Sequence, residues 1–312
     1  MSQLNEDAIR QALSRVIDPE LGRAITDLDM VREISIGEDG AVKVGVDLTI
    51  AGCPLQSVIE KDVKEEVSKV PGVSAVTVEM GVMDEDQRAS LKEKLSGPQN
   101  VIPFTQPDNL TRVYAITSGK GGVGKSSMTA NLALALASQG LKVGVLDADI
   151  YGFSIPRMLG VAEEPTVIDG MIVPPVAGGV KVISIGMFVP DGQPVVWRGP
   201  MLHRALQQFL ADVYWGDLDV ILLDLPPGTG DVAISISQLL PGSEILVVTT
   251  PQVAAAEVAE RAGVIGAQTE QRVIGVIENM SYLPQEDGSK LHLFGTLSLI
   301  HISEPTRLQL IS

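Results

Sequence analysis

The chain has 312 residues, 45% hydrophobic and 20% charged, with 39 acidic against 23 basic side chains and a formal net charge of -16. That apolar content excludes wholesale disorder, and the acidic balance argues against non-specific nucleic-acid binding, because a phosphate backbone repels such a surface. A single cysteine, Cys53, excludes an internal disulfide and any C-x-x-C site. The start, MSQLNEDAIR, is polar and acidic and is no secretory signal. No uncharged apolar run reaches the roughly 18–20 residues that span a bilayer. A soluble, cytoplasmic protein with neither nucleic-acid nor membrane partners is expected, long enough for two domains.

Residues 1–82 read as a small α/β domain. Leu4, Ala8, Ile9, Ala12, Leu13 and Val16 have helical spacing, and Asp18-Pro19-Glu20 ends that helix. Val31–Ile36 and Val42–Thr49 alternate apolar and polar around Gly37-Glu38-Asp39-Gly40, which predicts a hairpin. A helix over Pro54–Val70, with Pro54 in its first turn, stops at Pro71-Gly72, and Val73–Met80 alternates as a third strand. Residues 83–110 hold three prolines and no sustained apolar period after Leu95. They read as a linker with a short charged helix at its start.

The pattern changes at residue 111. Val113–Thr117, Val143–Leu146, Val182–Ile185, Val220–Leu223, Ile245–Thr249 and Val273–Ile277 are near-continuous apolar runs. Helices are predicted at Lys125–Ser138, Met201–Val213, Val232–Leu239 and Val253–Ala262. Alternation of such strands with helices predicts a mostly parallel sheet covered on both faces. The fold class expected is α/β: a small N-terminal α/β domain, then, because Gly119–Ser126 reads G-x-x-x-x-G-K-S between a predicted strand and a predicted helix, a P-loop NTPase domain over residues 111–295. Thr296–Ser312 reads TLSLIHISEPTRLQLIS and fits neither pattern.

Gly119-Lys120-Gly121-Gly122-Val123-Gly124-Lys125-Ser126 satisfies G-x-x-x-x-G-K-[ST] between a predicted strand and a predicted helix. Glycines let consecutive backbone N–H groups converge on a phosphate at a helix N-terminus. Gly119, Gly121, Gly122, Val123, Gly124, Lys125, Ser126 and Ser127 are therefore the expected ATP-binding residues. Lys125 is expected at the β/γ-phosphates, and the Ser126 hydroxyl on Mg²⁺. Asp147 and Asp149 follow an apolar strand, at the ligand edge of such sheets; Asp147 is expected near Mg²⁺, and Asp149 orienting the attacking water. Asp224, after Val220-Ile221-Leu222-Leu223, has the Walker B pattern and is a further Mg²⁺ position. Pro226-Pro227-Gly228-Thr229-Gly230-Asp231 reads as a γ-phosphate switch loop. Asn279 reads either as a contact to the adenine edge or as a turn residue. Lys120, an extra lysine inside the loop, is better placed to reach a partner subunit's nucleotide than its own. With Lys125 and Asp149 it completes the expected catalytic set.

This loop resembles the deviant Walker A motif of dimeric ATPases such as MinD, ParA and the nitrogenase iron protein. GKGGVGKS, VGVLDADIYG, SIP, RGPM, DLPPGTGD, TTPQ and IENMS together resemble the Mrp-type (ApbC-like) iron–sulfur cluster carrier ATPases over roughly Thr111 to Phe294. The N-terminal unit is similar to the small iron–sulfur assembly domain often fused to them, through Asp18-Pro19-Glu20-Leu21-Gly22, Asp27-Leu28, Met30-Val31 and Leu48-Thr49 to Gly52-Cys53-Pro54-Leu55. The resemblance implies a homodimeric ATPase that carries iron–sulfur clusters to apo client proteins and works with assembly scaffolds. This chain departs from the family at three places. Asp29 stands where a glycine is usual, and Phe153 where a proline is usual. The C-x-x-C that many members carry after ENMS is replaced by Tyr282-Leu283-Pro284-Gln285-Glu286-Asp287-Gly288. Cys53 is then the one thiol open to iron, with packing against the sheet as its structural alternative. Residues 296–312 match no segment expected of the family and read as truncated or non-native. The rival readings are an ATP-switched scaffold and a positioning ATPase of the MinD or ParA class; the latter class needs a basic membrane helix or DNA-binding surface.

Overall fold

The structure, a computed structural model of the chain, describes residues 4–50, 55–95, 101–150, 152–188, 199–228, 230–252, 271–294 and 309–310. The chain divides into two compact units, Met1–Gln99 with Thr166–Val173, and Asn100–Pro165 with Pro174–Ser312.

In the first unit, α1 (Glu6–Leu13) begins at Asn5, whose side chain accepts the Ala8 N–H at 2.9 Å. β1 (Val31–Ile36) and β2 (Ala41–Leu48) form the predicted antiparallel hairpin. α2 (Gln56–Ser68) then crosses over to β3 (Ala75–Val82), which pairs parallel to β2. β3 starts two residues later than its apolar pattern suggests. Val73 N–H is spent on the Val70 carbonyl, and Ser74 N–H on that of Gly40. Ile9 and Leu13 of α1, Ile59, Val63 and Val67 of α2, and Val42, Val44 and Val46 of β2 are buried. The charged stretch after Met83 is ordered into α3 (Glu85–Leu95), opened by reciprocal Asp84–Gln87 bonds of 2.8 Å, with Leu91 buried.

The second unit is built on β4 (Arg112–Ser118), α4 (Lys125–Ser138), β5 (Val143–Asp147) and α5 (Ile155–Leu159). Between α5 and the next large-sheet strand, β6 (Thr166–Ile168) and β7 (Met171–Val173) form a hairpin that belongs to the first unit. It turns on Asp169 and Gly170, both at positive φ, and the Asp169 carbonyl accepts Lys92 Nζ at 2.6 Å. Asp-Gly is a strong hairpin signal, but the flanking strands are too short to show a period.

β8 (Val176–Ala177), β9 (Val180–Ser184), α6 (Gly199–Ala211), β10 (Val220–Asp224), α7 (Asp231–Leu239), β11 (Glu244–Thr249) and β12 (Val273–Glu278) follow. A small hairpin, β13 (Leu283–Pro284) with β14 (Lys290–Leu291), comes after β12, and β15 (Gln309–Leu310) pairs parallel to β12. The large sheet runs β15-β12-β11-β4-β10-β5-β9-β8, parallel except for β8. This is the mostly parallel sheet expected. β10 is buried along its whole length between β4 and β5, as an apolar strand covered on both faces should be. Ile116, Val145, Leu222, Leu246 and Val248 pack with Ala130 and Ala133 of α4 in one core. The helix predicted at Val253–Ala262, Cys53, Pro54, Thr229 and nearly all of residues 296–312 lie outside the described residues.

Candidate functional site

β4 ends at Ser118, and the chain reaches Lys125, the first residue of α4, through the glycine loop. Gly122 and Gly124 sit at φ 79° and 83°, where L side chains are strained. No side chain caps α4, so the amides of its first turn are left to the loop's ligand side. Buried Val123 pins the loop to the core, while Gly121 and Gly122 are exposed. The segment after β10 is tied to the same loop, since Gly228 N–H donates to the Ser118 carbonyl at 2.8 Å.

Beneath the loop lies one buried carboxylate with three donors. Asp224 Oδ2 accepts Lys125 Nζ at 2.7 Å and Ser126 Oγ at 2.6 Å, and Oδ1 accepts Thr129 Oγ1 at 2.7 Å. Lys125 is 6% exposed and Asp224 is fully buried. A buried charge is tolerated when it is paired and hydrogen-bonded. The structure therefore brings Lys125, Ser126 and Asp224 together, as their motifs suggest. Thr129 is a fourth member that the motif does not name. Its position one turn after Lys125 on α4 was a usable signal.

Asp147 pairs in register with Asp224 across β5 and β10. Burial, with the neighbouring Asp224 charge adding to it, pushes its carboxyl up to about 6. Its Oδ2 accepts the N–H groups of Ser154 and Ile155 at 2.9 and 3.0 Å, and its Oδ1 that of Asp149 at 3.2 Å. Asp149 is also buried, and its Oδ1 takes the Gly152 N–H at 3.0 Å. The two carboxylates thus brace the turn after β5 as well as lying at the sheet's ligand edge.

Three expected site residues have contacts that the sequence does not announce. Lys120 Nζ donates to Gln252 Oε1 of the same chain. Asn279 Nδ2 donates to the Val123 carbonyl at 2.9 Å. Ser127 is exposed, its carbonyl accepting Asn131 Nδ2 at 2.8 Å. Among the described residues, no group of three or more His, Cys, Asp or Glu side chains is arranged to hold a metal ion.

The residues present fit a nucleotide and its metal. Around Gly122 there is nothing within 4 Å of where a Cβ would lie, so the cradle is open to a ligand. Ser126 Oγ and the Asp224 carboxylate are hard oxygen donors, the kind Mg²⁺ takes. Asp147, Asp149 and Asp224 are three buried carboxyl groups beside the buried Lys125, a balance that favours a cation.

A glycine loop between a parallel strand and a helix, with a carboxylate from the neighbouring strand beneath it, defines a P-loop nucleotide-binding domain. A family model described as NUBPL iron-transfer P-loop NTPase matches residues 109–312, and one described as iron–sulfur cluster assembly protein matches residues 6–80. The iron–sulfur cluster carrier protein of Mycobacterium tuberculosis is 63% identical over 290 residues, covering 92% of this chain and 76% of the relative. That of Bacillus subtilis is 40% identical over 294 residues, covering 94% and 82%. A nucleotide-binding protein from Archaeoglobus fulgidus, solved in complex with ADP, is 35% identical with a TM-score of 0.59, covering 69% of this chain and 85% of its own. The chain belongs to the iron-transfer P-loop NTPase family, with an iron–sulfur cluster assembly domain at its N-terminal end. No helix among the described residues is long and apolar enough to cross a membrane.

Proposed function

We propose that this protein is a cytoplasmic, Mg²⁺-dependent ATPase that works as a homodimer and carries iron–sulfur clusters to apo client proteins. The observation that carries the ATPase reading is the buried Asp224 carboxylate, which gathers Lys125, Ser126 and Thr129 beneath an open glycine cradle. Ser126 and Asp224 would hold Mg²⁺, which when bound neutralises phosphate charge. Release of Lys125 from Asp224 frees its ammonium for the β/γ-phosphates, and the first-turn amides of α4 receive the remaining phosphate oxygens. Asp149 orients the attacking water. Clusters are the cargo, a reading supported by the names of the relatives and by the assembly domain.

Lys125→Ala is expected to lower Mg-ATP hydrolysis by roughly 100-fold or more, the worth of a transition-state charge contact. An unchanged rate in the purified variant would refute the assignment. Anaerobic reconstitution, read by visible absorbance and by transfer to an apo iron–sulfur protein, tests the cargo.

A second reading is favoured by the composition. One cysteine per chain supplies two thiolates to a dimer, short of the four that a Cys₄ cluster takes. An ATP-switched scaffold that handles the client without itself holding the cluster accounts for this. Substoichiometric, labile cluster that disappears in Cys53→Ser supports carriage through Cys53. No cluster under any condition supports the scaffold.

A further inference from the structure

Asn279 follows β12 directly, and its backbone N–H and both polar atoms of its side chain are committed. Its backbone N–H donates to the Thr249 carbonyl at 2.8 Å, fastening it to the end of β11. Its side-chain Oδ1 accepts the Met280 N–H at 3.0 Å, which orients the amide. Nδ2 then points at the glycine loop and donates to the Val123 carbonyl at 2.9 Å. The flipped amide would set an oxygen against that carbonyl and an NH₂ against the Met280 N–H. Both contacts would be repulsive, so the orientation is fixed from two sides.

The loop is shaped to receive this contact. A Cβ at Gly124 would run into Asn279 Nδ2 and come within 3.6 Å of Met280 Cε. Gly124 is therefore needed for close approach as well as for its φ of 83°. Val123 is the loop's buried anchor, and its carbonyl immediately precedes the glycine that opens α4. Holding that carbonyl fixes the peptide plane between Val123 and Gly124, and with it the aim of the Gly124 N–H. Met280 itself is at φ 58°, a conformation that costs free energy in a non-glycine residue and that the Oδ1 contact offsets.

We propose that Asn279 is a positioning residue for the phosphate loop: its amide clamps the Val123 carbonyl and presets the loop's N–H groups, so that it acts on the phosphates through the loop and independently of the base. This rests on the nucleotide-site reading above but is testable apart from it.

The first arm uses the ligand-free full chain. Amide hydrogen exchange of the peptide spanning Gly119–Ser126 should accelerate severalfold in Asn279→Ala, with the strands of the large sheet unchanged. The second arm measures binding of ADP, GDP and inorganic pyrophosphate. Asn279→Ala should weaken all three by a common factor of roughly three to ten, the worth of one hydrogen bond. Asn279→Asp keeps the size but loses the donor. It should weaken all three at least as much while leaving the ADP-to-GDP preference at its wild-type value. A loss confined to ADP, with pyrophosphate binding and loop exchange unchanged, would overturn the proposal and make Asn279 a base reader. Unchanged exchange and affinity in both variants would overturn it as well. If the wild type binds none of the probes, the nucleotide-site reading falls, and the exchange arm still decides whether Asn279 holds the loop.

Discussion

Asp29 shows how one backbone angle sets the cost of a side chain. Its φ is 52°, in the left-handed region, where glycine carries no steric cost and aspartate is tolerated at some expense. A glycine would take this angle without strain, a preference that the sequence of this one chain does not reveal. The Lys94 ammonium meets the Asp29 carboxylate, but both side chains are exposed and such a pair adds little. Asp29→Gly is expected to raise stability by up to about 1 kcal/mol, and Asp29→Ala to lower it, both read from urea midpoints. A glycine variant less stable than wild type would show that the carboxylate matters more than the angle.

Asp147 carries a prediction about pH. An unfolded aspartate titrates near 3.8, and this one is raised to about 6 in the fold. The fold thus prefers its protonated form. The favourable contribution is complete below pH 4 and is lost as pH rises through 6, a swing of about 3 kcal/mol. Asp147→Asn cannot ionise, so its stability relative to wild type should improve by up to that amount between pH 4 and 7.5 in the absence of metal and nucleotide. A difference independent of pH would show that Asp147 titrates normally. The pairing of Asp147 with Asp224 was not visible in sequence, because the two lie 77 positions apart and meet only through the register of β5 and β10.

Elements that carry their own period or motif were readable in advance. The α4 helix was predicted to its end residues, because the glycine loop fixes its start and an apolar run extends it. Six strands of the large sheet, β4, β5, β9, β10, β11 and β12, match the predicted runs to within two residues, while β8 and β15, two residues each, are not among those runs. What escaped reading was short or non-local: the five-residue α5, the three-residue strands β6 and β7, and the contacts of Gln252, Thr129 and Asn279 with the loop. Close packing was equally hidden. Gly144 in β5 looks like a weak point in an apolar strand, yet a Cβ there would lie 2.6 Å from Leu218 Cδ1 and 3.0 Å from Trp215 Cε3. Trp215 cannot yield easily, being fully buried with its indole N–H on the Phe209 carbonyl at 3.0 Å. Gly144→Ala should therefore destabilise the second unit by about 2 kcal/mol through overpacking, with nucleotide affinity retained at the far end of β5. A melting curve superimposable on wild type would mean that Leu218 absorbs the methyl group freely.

Lys120 bears on the homodimer proposed above. As a single chain, its ammonium is engaged by Gln252, which follows β11. A cross-subunit role in an ATP-closed dimer requires that contact to be exchanged for the partner's nucleotide. The intramolecular bond then acts as a latch, raising the nucleotide concentration at which the dimer closes, since a lysine held at home is a tax on the competent state. Light scattering with a non-hydrolysable ATP analogue distinguishes the parts. Lys120→Ala should bind the analogue and remain monomeric, losing hydrolysis as well. Gln252→Ala releases the ammonium and should dimerise at an analogue concentration roughly tenfold or more below that of wild type, since one hydrogen bond to a charged group is worth about 1.5–3 kcal/mol. Equal dimerisation of wild type and Lys120→Ala would remove Lys120 from the interface. A Gln252→Ala variant that dimerises less readily than wild type would make Gln252 a guide that presents the lysine, the opposite of a latch.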